Sequence, residues 1–237
     1  MLSRKNVLAM AVAGLSLTAV SQAAVITSQG SGFSIGTFTS DATVEISTTK
    51  TYTAKVDFQN QPNTINSVIF SDGSTTSGTN WSVDLTGSPT GTDWATAGGT
   101  PAGVTGSIAN LLQGMRYTGI NGAKQNYNLT NLTVGQTYEA RFYAQNWGNA
   151  SGGRVQDLST SLGATLSGYA EDAHGIHFLA YQYVAPVGGQ VTITFTQNGG
   201  NGYHSYGFSN EVVPEPAAIG LIGLGTIGVL SRRRRMA

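Results

Sequence analysis

The feature that most limits what this chain can fold into is its alternation of apolar and polar residues. Three segments, 51–58, 137–146 and 190–197, place an apolar side chain at nearly every second position. Alternate residues of a β-strand point to the same face, so each segment predicts a strand with one side in a core. Short apolar segments between Gly-, Ser- and Asn-rich connections predict four further strands, at 65–70, 81–85, 104–108 and 176–184.

These strands predict an all-β fold, an antiparallel two-sheet sandwich of the jelly-roll type. Nowhere between residues 24 and 211 does the sequence show the apolar repeat of an amphipathic helix. The alternative architecture is a β-solenoid, which would need a fixed-period repeat that the sequence lacks. Because the chain has no cysteine, packing rather than disulfide bonds must stabilise the fold.

The N-terminus has the features of a secretory signal peptide. Arg4 and Lys5 form a positive region ahead of an uncharged, mostly apolar stretch at 7–20. Small residues then occupy the two positions that signal peptidase reads. We therefore predict a signal-peptide helix that signal peptidase removes between Ala23 and Ala24, and export of the remaining chain. The alternative is an uncleaved N-terminal anchor.

The C-terminus combines a proline motif, an uncharged segment and a basic end. Their order is Pro214, Glu215, Pro216, the run Ala217–Leu230, and then Arg232, Arg233, Arg234 and Arg235. The arginines are predicted to form a membrane stop that stays on the cytoplasmic side. The run holds 14 residues, whereas a helix that crosses a bilayer core needs ~20. We therefore predict a membrane helix that anchors the chain transiently.

These C-terminal residues resemble the PEP-CTERM sorting signal of Gram-negative, exopolysaccharide-producing bacteria. The resemblance implies that a membrane enzyme, exosortase, recognises Pro214, Glu215 and Pro216 and cuts nearby. It also implies an inner-membrane intermediate, followed by transfer to the cell surface or the extracellular matrix. Two prolines keep the motif extended and poor in hydrogen-bond donors, as a protease-like enzyme would need. The alternative is an ordinary C-terminal anchor preceded by a proline-rich linker.

A second resemblance concerns the sandwich itself. Residues 129–138, LTNLTVGQTY, contain a Leu, a turn Gly and a Tyr at the start of a predicted strand. They resemble the tyrosine corner of sandwich domains, in which the phenol of Tyr138 would bond to nearby backbone. Together with the strands that follow, residues 129–211 are similar to galactose-binding-like jelly rolls. This resemblance implies the fold and assigns no ligand residue.

The sequence thus divides into a signal peptide at 1–23, a sandwich domain at 24–211 and a sorting signal at 212–237. Between the two targeting segments there are six basic and eleven acidic residues, a net charge of −5. This charge excludes the basic surface of a nucleic-acid-binding protein. We predict no cofactor. A structural calcium ion bound by Asp and backbone carbonyls would fit a jelly roll, but no residues can be assigned to it.

The densest group of polar side chains in the sequence is EDAHGIH at 171–177. Asp172, His174 and His177 are candidate ligands of a divalent cation, with His204 as a third imidazole brought in by the fold. The alternative is an exposed loop that continues into a strand, because the spacing matches no familiar metal motif.

Two tryptophans are candidate sugar-binding residues. Trp94 and Trp147 lie in Gly- and Asn-rich segments, and sugar rings pack well on indole faces. A place in the core is an equally open alternative for both, whereas Trp81, in a predicted strand, is expected in the core.

Two functions remain open at this stage. The first is a non-catalytic, surface-sorted matrix or polysaccharide-binding protein, whose partners are signal peptidase, exosortase, the membrane and polysaccharide. The second is a secreted hydrolase that acts on matrix glycans or their ester groups. The segment GFSIG at 32–36 fits a nucleophile-elbow pattern, but no helix is predicted to follow it. We therefore expect a protein without catalytic residues.

Overall fold

The computed structural model describes residues 24–59, 61–86, 101–118, 121–146, 153–199 and 202–214. Within them the chain forms one short helix, α1 (Ile108–Leu111), and a 3₁₀ turn, Glu171–His174. The strands are β1 (Val25–Gly30), β2 (Phe33–Thr37), β3 (Tyr52–Asp57), β4 (Asn63–Ile65), β5 (Val68–Asp72), β6 (Ser77–Gly78), β7 (Trp81–Thr86), β8 (Arg116–Thr118), β9 (Lys124–Leu129), β10 (Thr137–Ala144), β11 (Val155–Thr160), β12 (Thr165–Ala170), β13 (His177–Val184), β14 (Val191–Gln197), β15 (Tyr203–Ser205) and β16 (Gly207–Val212). The signal peptide and the membrane helix predicted at the two ends lie outside the described residues.

The strands form two large sheets packed face to face. One has eight strands in the order β1-β2-β13-β10-β16-β3-β5-β4, and the other has six in the order β12-β11-β14-β9-β7-β6. From β9 onward the chain passes repeatedly between the sheets, because β10, β13 and β16 belong to the first sheet while β11 and β14 belong to the second. The predicted jelly-roll type of sandwich is confirmed. A separate two-stranded ribbon pairs β8 with β15.

Aromatic side chains fill the space between the two sheets. Tyr127 and Phe142 approach from opposite sheets, with ring centroids 4.9 Å apart. Trp81 also lies in this core, and only 4% of its surface is exposed, which confirms its predicted place. Burial of these apolar side chains is the main stabilising contribution in a chain that has no disulfide.

A second hydrophobic core covers the outer face of the eight-stranded sheet, which the two-sheet prediction did not include. Tyr143 and Phe178 point away from the sandwich interior and are fully buried. The cover consists of residues 38–46, the β4–β5 hairpin and α1. The central strands β10, β13 and β16 of this sheet are therefore buried on both faces.

Arg141 joins the covering layer to the sheet. Its guanidinium lies 4.5 Å from the centre of the Phe178 ring and is ion-paired with Glu139 at 2.6 Å and with Glu45 at 3.0 Å. Glu211 lies 3.6 Å away and also binds Lys50 at 2.7 Å. One buried cation thus links β10, β13 and β16 to the covering segment.

The strand predictions hold for five segments and are wrong for two. The strands at 51–58, 81–85, 137–146, 176–184 and 190–197 correspond to β3, β7, β10, β13 and β14. Residues 65–70 form a hairpin rather than one strand, because Asn66 and Ser67 adopt left-handed backbone angles with φ of 49° and 64°. Residues 104–108 form no strand; a single bridge at Thr105 leads into α1.

One pair of strands departs from the predicted antiparallel arrangement. β3 and β5 run parallel and pair at only two positions, Val56 with Ser71 and Asp57 with Asp72. Beyond these positions the two strands separate, which leaves part of the β3 edge without a neighbouring strand. Side chains bond to its carbonyl groups instead, since Ser71 Oγ donates to Lys55 O at 2.8 Å and Asn80 Nδ2 donates to Thr53 O at 3.2 Å.

The predicted tyrosine corner is present. The backbone N–H of Thr133 donates to the Tyr138 hydroxyl at 3.0 Å. A second corner with the same five-residue spacing occurs at β3, where the N–H of Ser47 donates to the Tyr52 hydroxyl at 3.1 Å. Burial raises the pKa of Tyr52 to about 12, so this hydroxyl stays protonated at neutral pH.

Replacing Tyr138 with Phe should lower the free energy of unfolding by about 1–2 kcal/mol, because a partly buried N–H loses its acceptor. Urea denaturation followed by circular dichroism measures this change. Tyr181→Phe is the matched control, since the Tyr181 hydroxyl makes only a 3.4 Å contact with Thr160 Oγ1. Equal losses in the two variants would show that the corner contributes nothing specific.

Candidate functional site

The sorting segment leaves the sandwich directly from its last strand. β16 ends at Val212, and the N–H of Val213 still donates to Thr137 O at 2.9 Å. The side-chain amide of Gln136 donates to Val213 O at 3.3 Å, and the next residue, Pro214, is exposed. The first proline of the motif is thus accessible while the preceding residue is held by the domain. Glu215, Pro216 and the four arginines lie outside the described residues.

The candidate metal residues lie at the opposite end of the sandwich, where each has other contacts. Asp172 binds the Arg154 guanidinium at 2.8 Å. The buried His177 donates from Nδ1 to the carbonyl of Gly175 at 3.0 Å and accepts a hydrogen bond from the Tyr169 hydroxyl at Nε2. Those two partners match a neutral imidazole, and burial lowers the pKa of His177 to about 4.

His174 and His204 complete the set of candidate ligands. His174 is partly exposed, and its ring centroid lies 5.4 Å from that of His177. His204 lies instead against Arg154, with 3.4 Å between Arg154 Nε and its own Nε2. Burial, together with the positive charge of Arg154, lowers the pKa of His204 to about 3. The described residues contain no group of three or more His, Asp or Glu side chains able to hold a metal ion.

Glu171 is the most unusual ionisable group at this end. Its carboxyl is fully buried, and one oxygen accepts a hydrogen bond from the backbone N–H of His204 at 3.1 Å. The other oxygen has no hydrogen-bond partner among the described residues. Burial raises the pKa of Glu171 well above its usual range, and Arg154 only partly opposes this effect. A carboxyl with no exposed surface cannot reach a substrate, so its effect is on stability.

An open groove runs beside the β3 edge, where β5 separates from β3. It has a volume of about 480 Å³ and adjoins a depression of about 290 Å³ that shares Tyr52, Lys55 and Ile69. We call it the Lys55 groove. Hydroxyl groups dominate its lining: Thr53, Ser71, Thr75, Ser77 and Thr79.

The Lys55 groove also contains one side chain of each charge and an aromatic ring. The Lys55 ammonium lies 5.5 Å from the centre of the Tyr52 ring. The Asp72 carboxylate accepts hydrogen bonds from the N–H and the hydroxyl of Ser74, at 2.7 and 3.0 Å. Hydroxyls, an ammonium, a carboxylate and a ring face are the groups with which proteins bind sugars.

Sequence reasoning did not identify this groove. Tyr52 and Lys55 lie in a segment predicted as an alternating strand, and residues 71–79 on the opposite wall belong to a Ser- and Thr-rich connection between predicted strands. The one available signal was the five-residue spacing of Ser47 and Tyr52, which would have indicated a second tyrosine corner. Trp94 and Trp147, the predicted sugar-binding residues, lie outside the described residues.

Comparison with known proteins supports the sorting segment and the fold. Residues 212–235 match the PEP-CTERM protein-sorting motif, which indicates an exported protein sorted to the cell surface by way of the membrane. No curated protein matches the chain. None of the helices within the described residues has the length and apolar character that crossing a bilayer requires.

The solved structures that are similar to this chain include two from different kinds of protein. One is the plant receptor-like kinase ANX2, with a TM-score of 0.50, 10% identity, and coverage of 78% of this chain and 50% of that one. The other is a CBM35 from Cellvibrio japonicus Abf62, with a TM-score of 0.33, 17% identity, and coverage of 54% of this chain and 92% of that one. The chain thus spans about half the length of the kinase structure. At 10% identity, the similarity to ANX2 concerns the fold alone.

The raised pKa of Glu171 makes the stability depend on pH in a defined direction. The folded protein keeps a proton above the ordinary pKa of about 4.5, whereas the unfolded chain loses it. The free energy of unfolding should therefore decrease as pH rises from about 4.5 toward the folded pKa, by up to ~1.4 kcal/mol per pH unit. Glu171→Gln should remove this decrease.

Urea denaturation at several pH values between about 5 and 8 measures this slope for both proteins. The neighbouring histidines titrate in both, so the difference between the two slopes isolates Glu171. Asp157→Asn is a control on β11, since Asp157 is partly exposed. Identical slopes in wild type and Glu171→Gln would contradict the buried, protonated carboxyl.

Proposed function

We propose that this protein is a non-catalytic, exosortase-sorted protein of the cell surface or matrix whose sandwich binds polysaccharide through the Lys55 groove. The sorting motif supports the export route. The chemistry of the groove carries the binding proposal, because an open trough of hydroxyls with an ammonium and an aromatic ring complements a sugar chain. The exopolysaccharide of a Gram-negative host is the expected ligand source.

The groove supports binding rather than hydrolysis. Glycoside hydrolysis generally uses two carboxyl groups, about 5–9 Å apart, on either side of the scissile bond. The described lining of the Lys55 groove contributes one carboxylate, Asp72, which is already bonded to Ser74. Glu171 is enclosed, and the GFSIG segment lies at β2, inside the eight-stranded sheet rather than at a strand-to-helix turn.

The position of the motif supports recognition by exosortase. Pro214 is exposed immediately after a residue that is hydrogen-bonded to β10, so the enzyme would reach the motif without unfolding the sandwich. In this proposal the run Ala217–Leu230 enters the membrane, and the arginines after it remain on the cytoplasmic side. Cleavage then releases the folded domain.

Replacing Pro214, Glu215 and Pro216 with alanine should leave the protein inserted but uncut, so that full-length protein accumulates in the membrane fraction. Replacing Arg232–Arg235 with serine should instead reduce membrane retention, because about four charges no longer resist crossing. Cell fractionation and mass spectrometry of the C-terminus, in hosts with and without an exosortase, measure both effects. Processing of the alanine variant like the wild type would show that the motif is only a linker.

Lys55→Ala should weaken polysaccharide binding by about 1–2 kcal/mol, since hydrogen bonds from a charged donor are lost. Pull-downs and glycan arrays with neutral and acidic polysaccharides measure the change. Lys124→Ala is the matched control, because Lys124 is exposed on the other sheet. Trp94→Ala and Trp147→Ala test the alternative sugar platform. Loss of binding in those variants alone would remove the groove from the proposal.

A further inference from the structure

Two adjacent turns form the tip of the sandwich beside the point where the sorting segment leaves. In the first turn the N–H of Gln136 donates to Thr133 O at 3.1 Å, and Gly135 has a φ of +81°. In the second the N–H of Gly189 donates to Pro186 O at 3.0 Å. The two glycine-containing turns have the same layout.

Hydrogen bonds between the two turns hold them together. The N–H of Gly135 donates to Ala185 O at 3.0 Å, and the N–H of Ala185 donates to Gln136 O at 2.9 Å. Gln136 also contacts Val213 at the exit of the sorting segment. Hydrogen bonds therefore join the two turns and the exit of the sorting segment. We call this region the exit surface: residues 132–136, 184–190 and 212–214.

The exit surface displays apolar side chains that nothing in the described structure covers. Val134 and Val187 occupy the second position of their turns and are 57% and 94% exposed, and Val184 is 55% exposed. Leu162, 39% exposed, lies in the nearby turn that hydrogen-bonds to Thr192. Across the described residues six large hydrophobic side chains are exposed, and the other two, Ile26 and Ile69, lie on strands β1 and β5.

The same end of the sandwich is almost without charge. Lys50, which binds Glu211, is the single charged side chain in the described connections at this end, which are 30–32, 47–51, 130–136, 161–164, 185–190 and 213–214. The opposite end contains Arg116, Arg154, Glu171 and Asp172. Neutral loops with apolar tips can enter a lipid headgroup region, whereas loops with ionised carboxylates would have to give up their hydration.

The short connection between Pro214 and Ala217 limits how far the exit surface can lie from the membrane. Only Glu215 and Pro216 separate Pro214 from Ala217, where the uncharged run begins. Three fully extended residue steps span at most about 11 Å. When the run enters a bilayer, the exit surface must therefore lie within that distance of it.

We propose that the exit surface docks on the lipid bilayer into which the sorting segment inserts, with Val134 and Val187 in the headgroup region. This proposal rests on the proposed membrane insertion of Ala217–Leu230. Docking depends on that anchor, because a few exposed valine side chains bind lipid only weakly. The anchor keeps the exit surface next to the bilayer and so raises its effective concentration there. The effect of docking is to present Pro214 at the depth of the membrane border.

Site-directed spin labelling of the full exported chain in phosphatidylethanolamine and phosphatidylglycerol vesicles tests this proposal. The chain has no cysteine, so each introduced cysteine gives a unique label. Val187→Cys reports on the exit surface, and Ile26→Cys, at a 54% exposed position on β1, is the matched control. Gly223→Cys reports on insertion of the sorting segment.

The label at 187 should collide more often with dissolved oxygen than with a polar nickel chelate, and the label at 26 should do the reverse. If the label at 187 is exposed to water while the label at 223 is exposed to lipid, the docking alone is overturned. An aqueous label at 223 would overturn the membrane insertion and the docking together. Dipolar broadening between labels at 187 on different chains would assign the surface to a second copy and overturn the lipid assignment.

A functional variant gives a second readout. Val134→Asp with Val187→Asp should reduce retention of the full chain on vesicles roughly tenfold, since two apolar tips would be replaced by ionised groups. Ile26→Asp should leave retention unchanged. Because all three positions are more than half exposed, thermal melting of each variant should match the wild type. Equal retention of the double variant and the wild type would overturn the proposal.

Discussion

The covering layer on the eight-stranded sheet depends on one buried cation. The sheet needs cover on its outer face because Tyr143 and Phe178 are apolar there, yet Arg141 projects from the same face. Its charge is matched by Glu139 and Glu45, and its guanidinium lies over the Phe178 ring. A buried ion pair contributes little net stability once desolvation is counted, but removing one partner leaves an uncompensated charge. The network therefore serves mainly to position the covering segment on the sheet.

The covering layer also has a consequence for the candidate binding site. It contains the β4–β5 hairpin, and β5 meets β3 at only two paired positions before the strands separate. The Lys55 groove lies in the space that results. Had β5 continued along β3, the carbonyl groups of Thr53 and Lys55 would have paired with another strand instead of with the side chains of Asn80 and Ser71. The groove is thus a product of how the third layer attaches to the sheet.

The two ends of the sandwich have opposite chemistry, and this division fits a protein tethered at one end. The end with Arg154, Asp172 and Glu171 contains buried polar groups with strongly altered pKa values. The exit end contains neutral turns with valine tips. The Lys55 groove lies along the side of the sandwich, and its adjoining depression reaches Thr48 and Lys50 in a connection at the exit end.

Sequence reasoning succeeded where a short local pattern of residues is typical of a single structure. Tyr138 follows a turn glycine at the start of a strand, and the corner that this pattern predicts is present. It failed at 65–70, where Asn66 and Ser67 look like part of a strand and adopt left-handed angles instead. It also overlooked β9, because Gln125 takes an inward position; its amide is satisfied by Tyr203 and Tyr127, which only the fold brings near.

The amino-acid sequence alone determined the β-sandwich class, the corner at Tyr138 and the sorting segment. Each of these is a pattern of residues that are contiguous along the chain. Tertiary structure decided everything that depends on distant residues meeting. It separated Asp172 and His177 into an ion pair and a neutral buried imidazole, although the two residues lie five positions apart. It also placed Tyr52 and Lys55 beside Ser77 and Thr79, from the other sheet, to form the groove. Such contacts are set by strand order and by the covering layer, and neither is encoded in the spacing of neighbouring residues.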